Sequence, residues 1–159
     1  MQIGFVGLGR MGGNMVHRIL RDSDHQVVAY DPGADAVKAA VGVGADAAES
    51  LEDLVQKLDT PRAVWLMVPA GPITQQSIDT LMELLDEGDM IIDGGNSRWT
   101  DSKAHAEAAS ARGLEFVDVG TSGGVWGLEV GYCMMVGGSD SAVERLSPIL
   151  DVLAPPNGW

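Results

Sequence analysis

Six residues constrain the rest of the chain. Gly7-Leu8-Gly9-Arg10-Met11-Gly12 is a G-x-G-x-x-G run. It lies between an apolar stretch, Gln2-Ile3-Gly4-Phe5-Val6, and a stripe at helical spacing: Gly12, Met15, Val16, Ile19 and Leu20. Strand before and helix after is the context in which such a run has meaning. Gly7 is then expected to make the tight turn. Gly9 lets the main chain approach a pyrophosphate, and Gly12 lets the helix, about Arg10 to Arg21, pack close to the strand. Phosphates there meet unpaired N–H groups at the positive end of the helix dipole. In a chain with 21 glycines the pattern alone could be chance, so its placement carries the argument.

A second strand, Gln26-Val27-Val28-Ala29-Tyr30, ends at Asp31, 19 residues beyond Gly12. An acidic residue at about that distance accepts hydrogen bonds from an adenosine ribose. Its carboxylate suits a free 2′-hydroxyl and repels a 2′-phosphate. Pro32 and Gly33 follow, with no Lys or Arg before Lys38, so the position favours NAD over NADP. Asp31 also suits the role of cap for a helix beginning near Ala34, and the two roles can coexist.

The pattern then repeats. A short helix spans Ala34 to Val41. Ser50 and Asp53 form a near capping box for the next. Ala63 to Val68 is a continuous apolar run, as expected of a parallel strand buried on both faces. Pro69-Ala70-Gly71-Pro72 stops it. Pro69, with no N–H and a fixed φ, either makes a stiff apolar wall in flat contact with a nicotinamide ring at the sheet edge or simply ends the strand. A helix from Ile73 to Leu85 presents Ile78, Leu81, Met82 and Leu85. Strand Asp89–Asp93 opens into Gly94-Gly95-Asn96-Ser97. Asn96 has a donor and an acceptor for a carboxamide or sugar hydroxyl, or is a turn residue tolerating positive φ. A helix from about Thr100 is expected to pack through Ala104, Ala108 and Ala111. These alternations predict an α/β fold of Rossmann type, with a doubly wound, mostly parallel sheet.

Beyond strand Leu114–Val119, five glycines fall within Gly120–Gly131. Exposed amides with the Thr121 and Ser122 hydroxyls make a cradle for carboxylate or hydroxyl oxygens; a flexible loop is the alternative. Tyr132–Gly138 reads as an apolar strand with Cys133 buried. A helix from Ser139 to Ser147 turns Val143 and Leu146 inward, and Pro148 is expected to kink or restart it.

Net charge is −13, which disfavours nucleic acid and anionic membranes as partners. Among 159 residues there is one cysteine, no run long enough for a membrane span and no signal-peptide pattern. A cytoplasmic setting is expected. Cys and His clusters are absent, so no metal site is expected. His17, His25 and His105 read as surface or boundary residues, Glu129 as a solvated carboxylate, and Lys38, Lys57 and Lys103 as solvated helix faces.

Gly7–Gly12, Val68-Pro69-Ala70-Gly71 and Ser122-Gly123-Gly124 together resemble the β-hydroxyacid dehydrogenases. Ile92-Asp93-Gly94-Gly95-Asn96-Ser97 and Gly120–Gly127 narrow the resemblance to the decarboxylating 6-phosphogluconate dehydrogenase family. It implies that Gly7, Leu8, Gly9, Arg10, Met11 and Gly12 hold the pyrophosphate and that Asp31 holds the adenosine ribose. Val68, Pro69 and Ala70 would line the cofactor. Asn96 would touch cofactor and substrate, and Ser122, Gly123 and Gly124 would bind substrate. Asp31 stands where NADP-using members have an Asn-Arg pair, which suits the NAD-preferring branch.

The resemblance also implies that residues 1–159 are the cofactor domain of a longer homo-oligomeric enzyme. Its general-base lysine and all-helical C-terminal domain would lie beyond Trp159, leaving no catalytic residue in this stretch. That enzyme oxidises 6-phosphogluconate at C3, releases carbon dioxide and yields ribulose 5-phosphate; the fragment alone is expected to be inactive. Other readings are a domain of a hydroxyisobutyrate or tartronate semialdehyde type dehydrogenase, or a non-catalytic dinucleotide sensor. Apolar surface around Met134, Leu150 and Leu153 is expected to be open.

Overall fold

A computed structural model of the chain describes residues 1–158. Seven strands form one sheet: β1 (Gln2–Val6), β2 (Gln26–Tyr30), β3 (Asp46–Ala47), β4 (Ala63–Leu66), β5 (Met90–Asp93), β6 (Glu115–Ser122) and β7 (Cys133–Gly137). Their order is β3-β2-β1-β4-β5-β6-β7. All pairs are parallel except β6 with β7. This is the doubly wound arrangement expected, and the order reverses between β1 and β4. A crevice opens at the carboxyl ends of the strands at such a reversal.

Side chains alternate across the sheet because a strand has a period of two. Ile3, Phe5, Val27, Ala29, Trp65, Ile92 and Val117 face one core with Met15, Val16 and Ile19 of α1 (Arg10–Asp22). Ala40 of α2 (Ala34–Gly42) and Leu146, Ile149 and Leu150 of α7 (Asp140–Leu153) share that layer. Val6, Val28, Val64, Leu66 and Ile91 face the other core. There they meet α3 (Leu51–Lys57), α4 (Pro72–Leu84) and α5 (Trp99–Ala111). Registered neighbours Phe5 and Trp65 stack, with ring centroids 5.9 Å apart.

Several expectations are corrected. β3 was not anticipated; it is two exposed residues, too short to leave a pattern. Helix α5 packs through Ser102, His105 and Ala109, while Ala104, Ala108 and Ala111 are exposed. Alanine is small and weakly apolar, so it does not mark a face. His105 is buried, its Nε2 2.7 Å from Gln75 Oε1 on α4. The glycine-rich stretch is partly ordered secondary structure: β6 runs through Ser122, and a 3-10 turn (Gly124–Trp126) and α6 (Gly127–Val130) follow.

β7 is an edge strand. Met134 and Val136 pack inward, while Cys133 and Met135 are exposed. Leu150 and Leu153 are fully buried, not open. Helix α7 continues through Pro148 without restarting. Proline lacks the N–H that would reach the Glu144 carbonyl; the Ser147 hydroxyl donates to that oxygen instead, at 2.7 Å.

Arg18 of α1 is buried although charged. Its guanidinium donates to the carbonyls of Val152, Leu128, Glu129 and Ala154. It therefore closes the ends of α6 and α7 from a helix far away in sequence. No helix among the described residues is long and apolar enough to cross a membrane.

Candidate functional site

A cleft of about 460 Å³ opens at the reversal point. Its walls are the β1–α1 loop (Gly7, Gly9), the end of β2 (Asp31, Pro32), the β4–α4 loop (Met67, Val68, Pro69) and the β5–α5 loop (Gly94, Gly95, Asn96), with Ile73 of α4. Sequence-predicted Gly7, Gly9, Asp31, Val68, Pro69 and Asn96 thus share one cavity.

Each glycine of the first loop has a different surrounding. Gly7 has φ +94°, and a Cβ there would strike the Met67 carbonyl. A Cβ on Gly12 would strike the Gly7 carbonyl oxygen. Around a Cβ on Gly9 there is nothing within 4 Å. Gly7 and Gly12 therefore serve internal packing, while Gly9 faces open space. Gly9 is the N-cap of α1, no side chain caps that helix, and its first turn carries no acidic residue. The N-cap residue itself lines the cleft, so the positive end of the helix dipole borders it. Leu8 and Arg10 line a separate groove between α1 and α2, which Gly9 also borders. Met11, Gly12 and Ala70 do not line the cleft.

Asp31 is more engaged than its position alone suggests. Its Oδ2 accepts from Leu8 N–H at 2.8 Å and its Oδ1 from Gly33 N–H at 2.7 Å. Gly33 is the N-cap of α2, so Asp31 shapes both the glycine loop and the approach to α2. Each carboxylate oxygen keeps a lone pair for a hydroxyl donor. Beside Asp31 a second cavity of about 340 Å³ is bordered by Tyr30, Pro32, Leu51, Val68, Ile73 and Thr80. Leu51, Ile73 and Thr80 were not singled out from the sequence, because they are ordinary helix residues whose meeting depends on the fold.

Asn96 has φ +57°, so the turn role holds. Its Oδ1 accepts from Thr121 N–H at 3.0 Å and its Nδ2 donates to Thr121 O at 3.3 Å. This brings the β5–α5 loop against the end of β6, one residue before Ser122. Ser122 is exposed. The Thr121 side chain is buried and its hydroxyl donates to Val119 O, so it does not belong to an open cradle. A Cβ on Gly123 would lie 2.7 Å from the Tyr132 ring, which sits beneath the glycine-rich turn. Ser122, Gly123 and Gly124 lie outside the cleft lining. Thr74, buried in the first turn of α4, donates to Pro69 O at 2.8 Å and fixes the proline loop. A threonine just inside a Pro-started helix was a readable signal for that bond.

Among known proteins, the family profile described as the NAD binding domain of 6-phosphogluconate dehydrogenase matches residues 2–156. The NAD(+)-dependent, decarboxylating 6-phosphogluconate dehydrogenase of Haloferax volcanii is 46% identical over 159 residues, covering 99% of this chain and 52% of that protein. The decarboxylating 6-phosphogluconate dehydrogenase of Haemophilus influenzae is 41% identical, with 96% of this chain and 32% of that protein covered. Among solved structures, 3-hydroxyisobutyrate dehydrogenase of Mycobacterium tuberculosis superposes with a TM-score of 0.87 at 28% identity, over 96% of this chain and 52% of that one. The 6-phosphogluconate dehydrogenase of Plasmodium falciparum, studied apo, with NADP+ and with 6-phosphogluconate, gives 0.85 at 28% identity, over 95% and 33%. The chain therefore spans about half the length of these relatives, or less. With a Rossmann-type sheet, a glycine loop at its reversal point and a profile match over nearly its whole length, this chain belongs to the family of NAD(P)-binding domains of 6-phosphogluconate dehydrogenase.

Proposed function

We propose that this chain is the cofactor-binding part of an NAD-preferring enzyme that oxidatively decarboxylates 6-phosphogluconate to ribulose 5-phosphate. The observation that carries the cofactor choice is the Asp31 carboxylate at the edge of the cleft. The cleft and the open space over Gly9 fit a dinucleotide, since a pyrophosphate needs close approach to main-chain amides. Gly7 to Gly12 would hold the pyrophosphate and Asp31 the adenosine ribose. The adjoining cavity by Tyr30, Pro32 and Leu51 would take adenine. Val68, Pro69 and Ala70 would flank the nicotinamide half, with Asn96 at its far end. When bound, NAD supplies the acceptor for a hydride from the substrate carbon.

Substrate would approach from the β6 side, where Asn96, Ser122, Gly123 and Gly124 offer polar groups. The general-base lysine would be contributed by sequence beyond residue 159, together with an all-helical domain and a homo-oligomeric interface, in a cytoplasmic enzyme. The 46% identity with an NAD(+)-dependent relative supports the preference. Calorimetry with NAD and NADP tests it: tighter binding of NAD is expected, and tighter NADP binding would overturn the Asp31 argument. The isolated chain is expected not to oxidise 6-phosphogluconate.

The likeness to 3-hydroxyisobutyrate dehydrogenase supports a second reading, in which the substrate is another β-hydroxyacid. A hydroxyacid panel on the full-length protein separates the two.

A further inference from the structure

We propose that Asp93 and Ser97 are positioning residues that set Asn96 for the nicotinamide half of a bound dinucleotide; the proposal rests on the dinucleotide reading above.

Asp93 ends β5 and is fully buried. Its Oδ1 accepts from Gly95 N–H at 2.9 Å and its Oδ2 from the Ser97 hydroxyl at 2.6 Å. The two donors flank Asn96 in sequence, so one carboxylate holds both sides of the turn that carries it. Asn96 itself has the only positive φ among the described non-glycine residues. Such a backbone persists only where its surroundings enforce it. A second hold comes from β6, through the two bonds between the Asn96 amide and the Thr121 main chain. A third comes from the β4–α4 loop, since a Cβ on Gly95 would lie 2.6 Å from Val68 O.

This exceeds what a turn requires. A neutral Asn or Ser would satisfy Gly95 N–H with far less desolvation than a buried carboxylate. A charged acceptor instead gives shorter and stronger bonds, and so a stiffer loop. Asn96 has four hydrogen-bonding positions, and Thr121 occupies two. One Oδ1 lone pair and one Nδ2 hydrogen are left on a residue that lines the cleft. Asp31 and Pro32 mark one end of that cleft, and Gly94, Gly95 and Asn96 line another part of its wall. With Asp31 on the adenosine ribose, the fixed amide lies where a carboxamide or the second ribose would be read.

The test is calorimetry on the purified chain with NAD and with ADP-ribose, which lacks the nicotinamide. The variants are Ser97→Ala, Asp93→Asn and Asp93→Ala, with circular dichroism to confirm folding. Ser97→Ala is expected to weaken NAD about tenfold while ADP-ribose stays within about twofold, the loss of one charge-assisted bond behind the reading group. Asp93→Asn keeps an acceptor for Gly95 and is expected to recover part of what Asp93→Ala loses. If Asp93→Ala does not fold, Ser97→Ala alone decides between the outcomes. NAD affinity unchanged in Ser97→Ala, or parallel weakening of both ligands, would overturn the proposal. So would a native chain that binds NAD no better than ADP-ribose. A native chain that binds neither ligand would overturn the dinucleotide reading itself.

Discussion

The Leu8 amide donates to Asp31 Oδ2 across 2.8 Å, so the residue that follows β2 also holds the loop that follows β1. Asp31→Asn would keep an acceptor for only one of Leu8 and Gly33, because its NH2 group must face the other donor. The expected result is a modest loss of thermal stability. Removing the carboxylate should also shift the NADP-to-NAD affinity ratio toward NADP by about tenfold, or roughly 1.4 kcal/mol. Thermal unfolding and calorimetry with both dinucleotides check the two effects separately.

Gly9 and Gly12 should separate binding from folding. Gly9→Ala meets no atom within 4 Å and has φ −61°, so it is expected to cost under about 1 kcal/mol of stability. Its methyl group would occupy the approach to the main chain, and NAD affinity should fall about tenfold or more. Gly12→Ala drives a methyl into the Gly7 carbonyl oxygen and should destabilise by at least about 1–3 kcal/mol. Denaturant titrations beside calorimetry would show the two losses on different axes.

Asp118 pairs in register with Asp93, and burial pushes its carboxyl above the usual range, with the Asp93 charge adding to the rise. Ser102 and His105 pull it the other way without cancelling it. A carboxyl with a raised folded pKa holds its proton more tightly in the native state. Stability is then highest at low pH and falls as pH rises from the ordinary carboxylate value through the raised one. Asp118→Asn should flatten that fall. The variant is expected to unfold at a higher temperature than the native chain near neutral pH, with the gap closing in acid; a gap independent of pH would count against it.

Ser147 and Pro148 make a coupled pair. Ser147→Ala removes the donor to the Glu144 carbonyl and should cost about 0.5–1 kcal/mol. Pro148→Ala restores a main-chain N–H for the same oxygen. In that background the serine substitution should become nearly neutral. A double-mutant cycle by chemical denaturation measures the coupling.

The central strands were legible because β1, β4 and β5 are buried on both faces and read as apolar runs between turn residues. The Gly7–Gly12 loop and Asp31 were legible because their spacing is set by a covalent path: one strand, one turn, one helix. The cavity beside Asp31 was not, since Leu51 and Thr80 gain meaning only when α3 and α4 settle on the same sheet face. Cys133 was misplaced because apolar content does not distinguish an edge strand from a central one. Buried Arg18 and His105 were missed for a shared reason. A polar side chain enters the interior when partners await it, and theirs lie on other elements. The bracket around Asn96 was half-visible: Asp93 and Ser97 flank the turn in plain sequence, but the burial of Asp93 and the clamp by Thr121 of β6 arise only in the folded sheet.

Arg18 has an effect on how the chain is made. Its partners, the carbonyls at Leu128, Glu129, Val152 and Ala154, are synthesised more than a hundred residues after it. On a ribosome the guanidinium emerges early and lacks its full set of carbonyl partners until the tail of α7 has left the exit tunnel. Completion of that side therefore waits for the last turn of α7, and a nascent chain released before Ala154 would leave a charged group facing an unfinished wall.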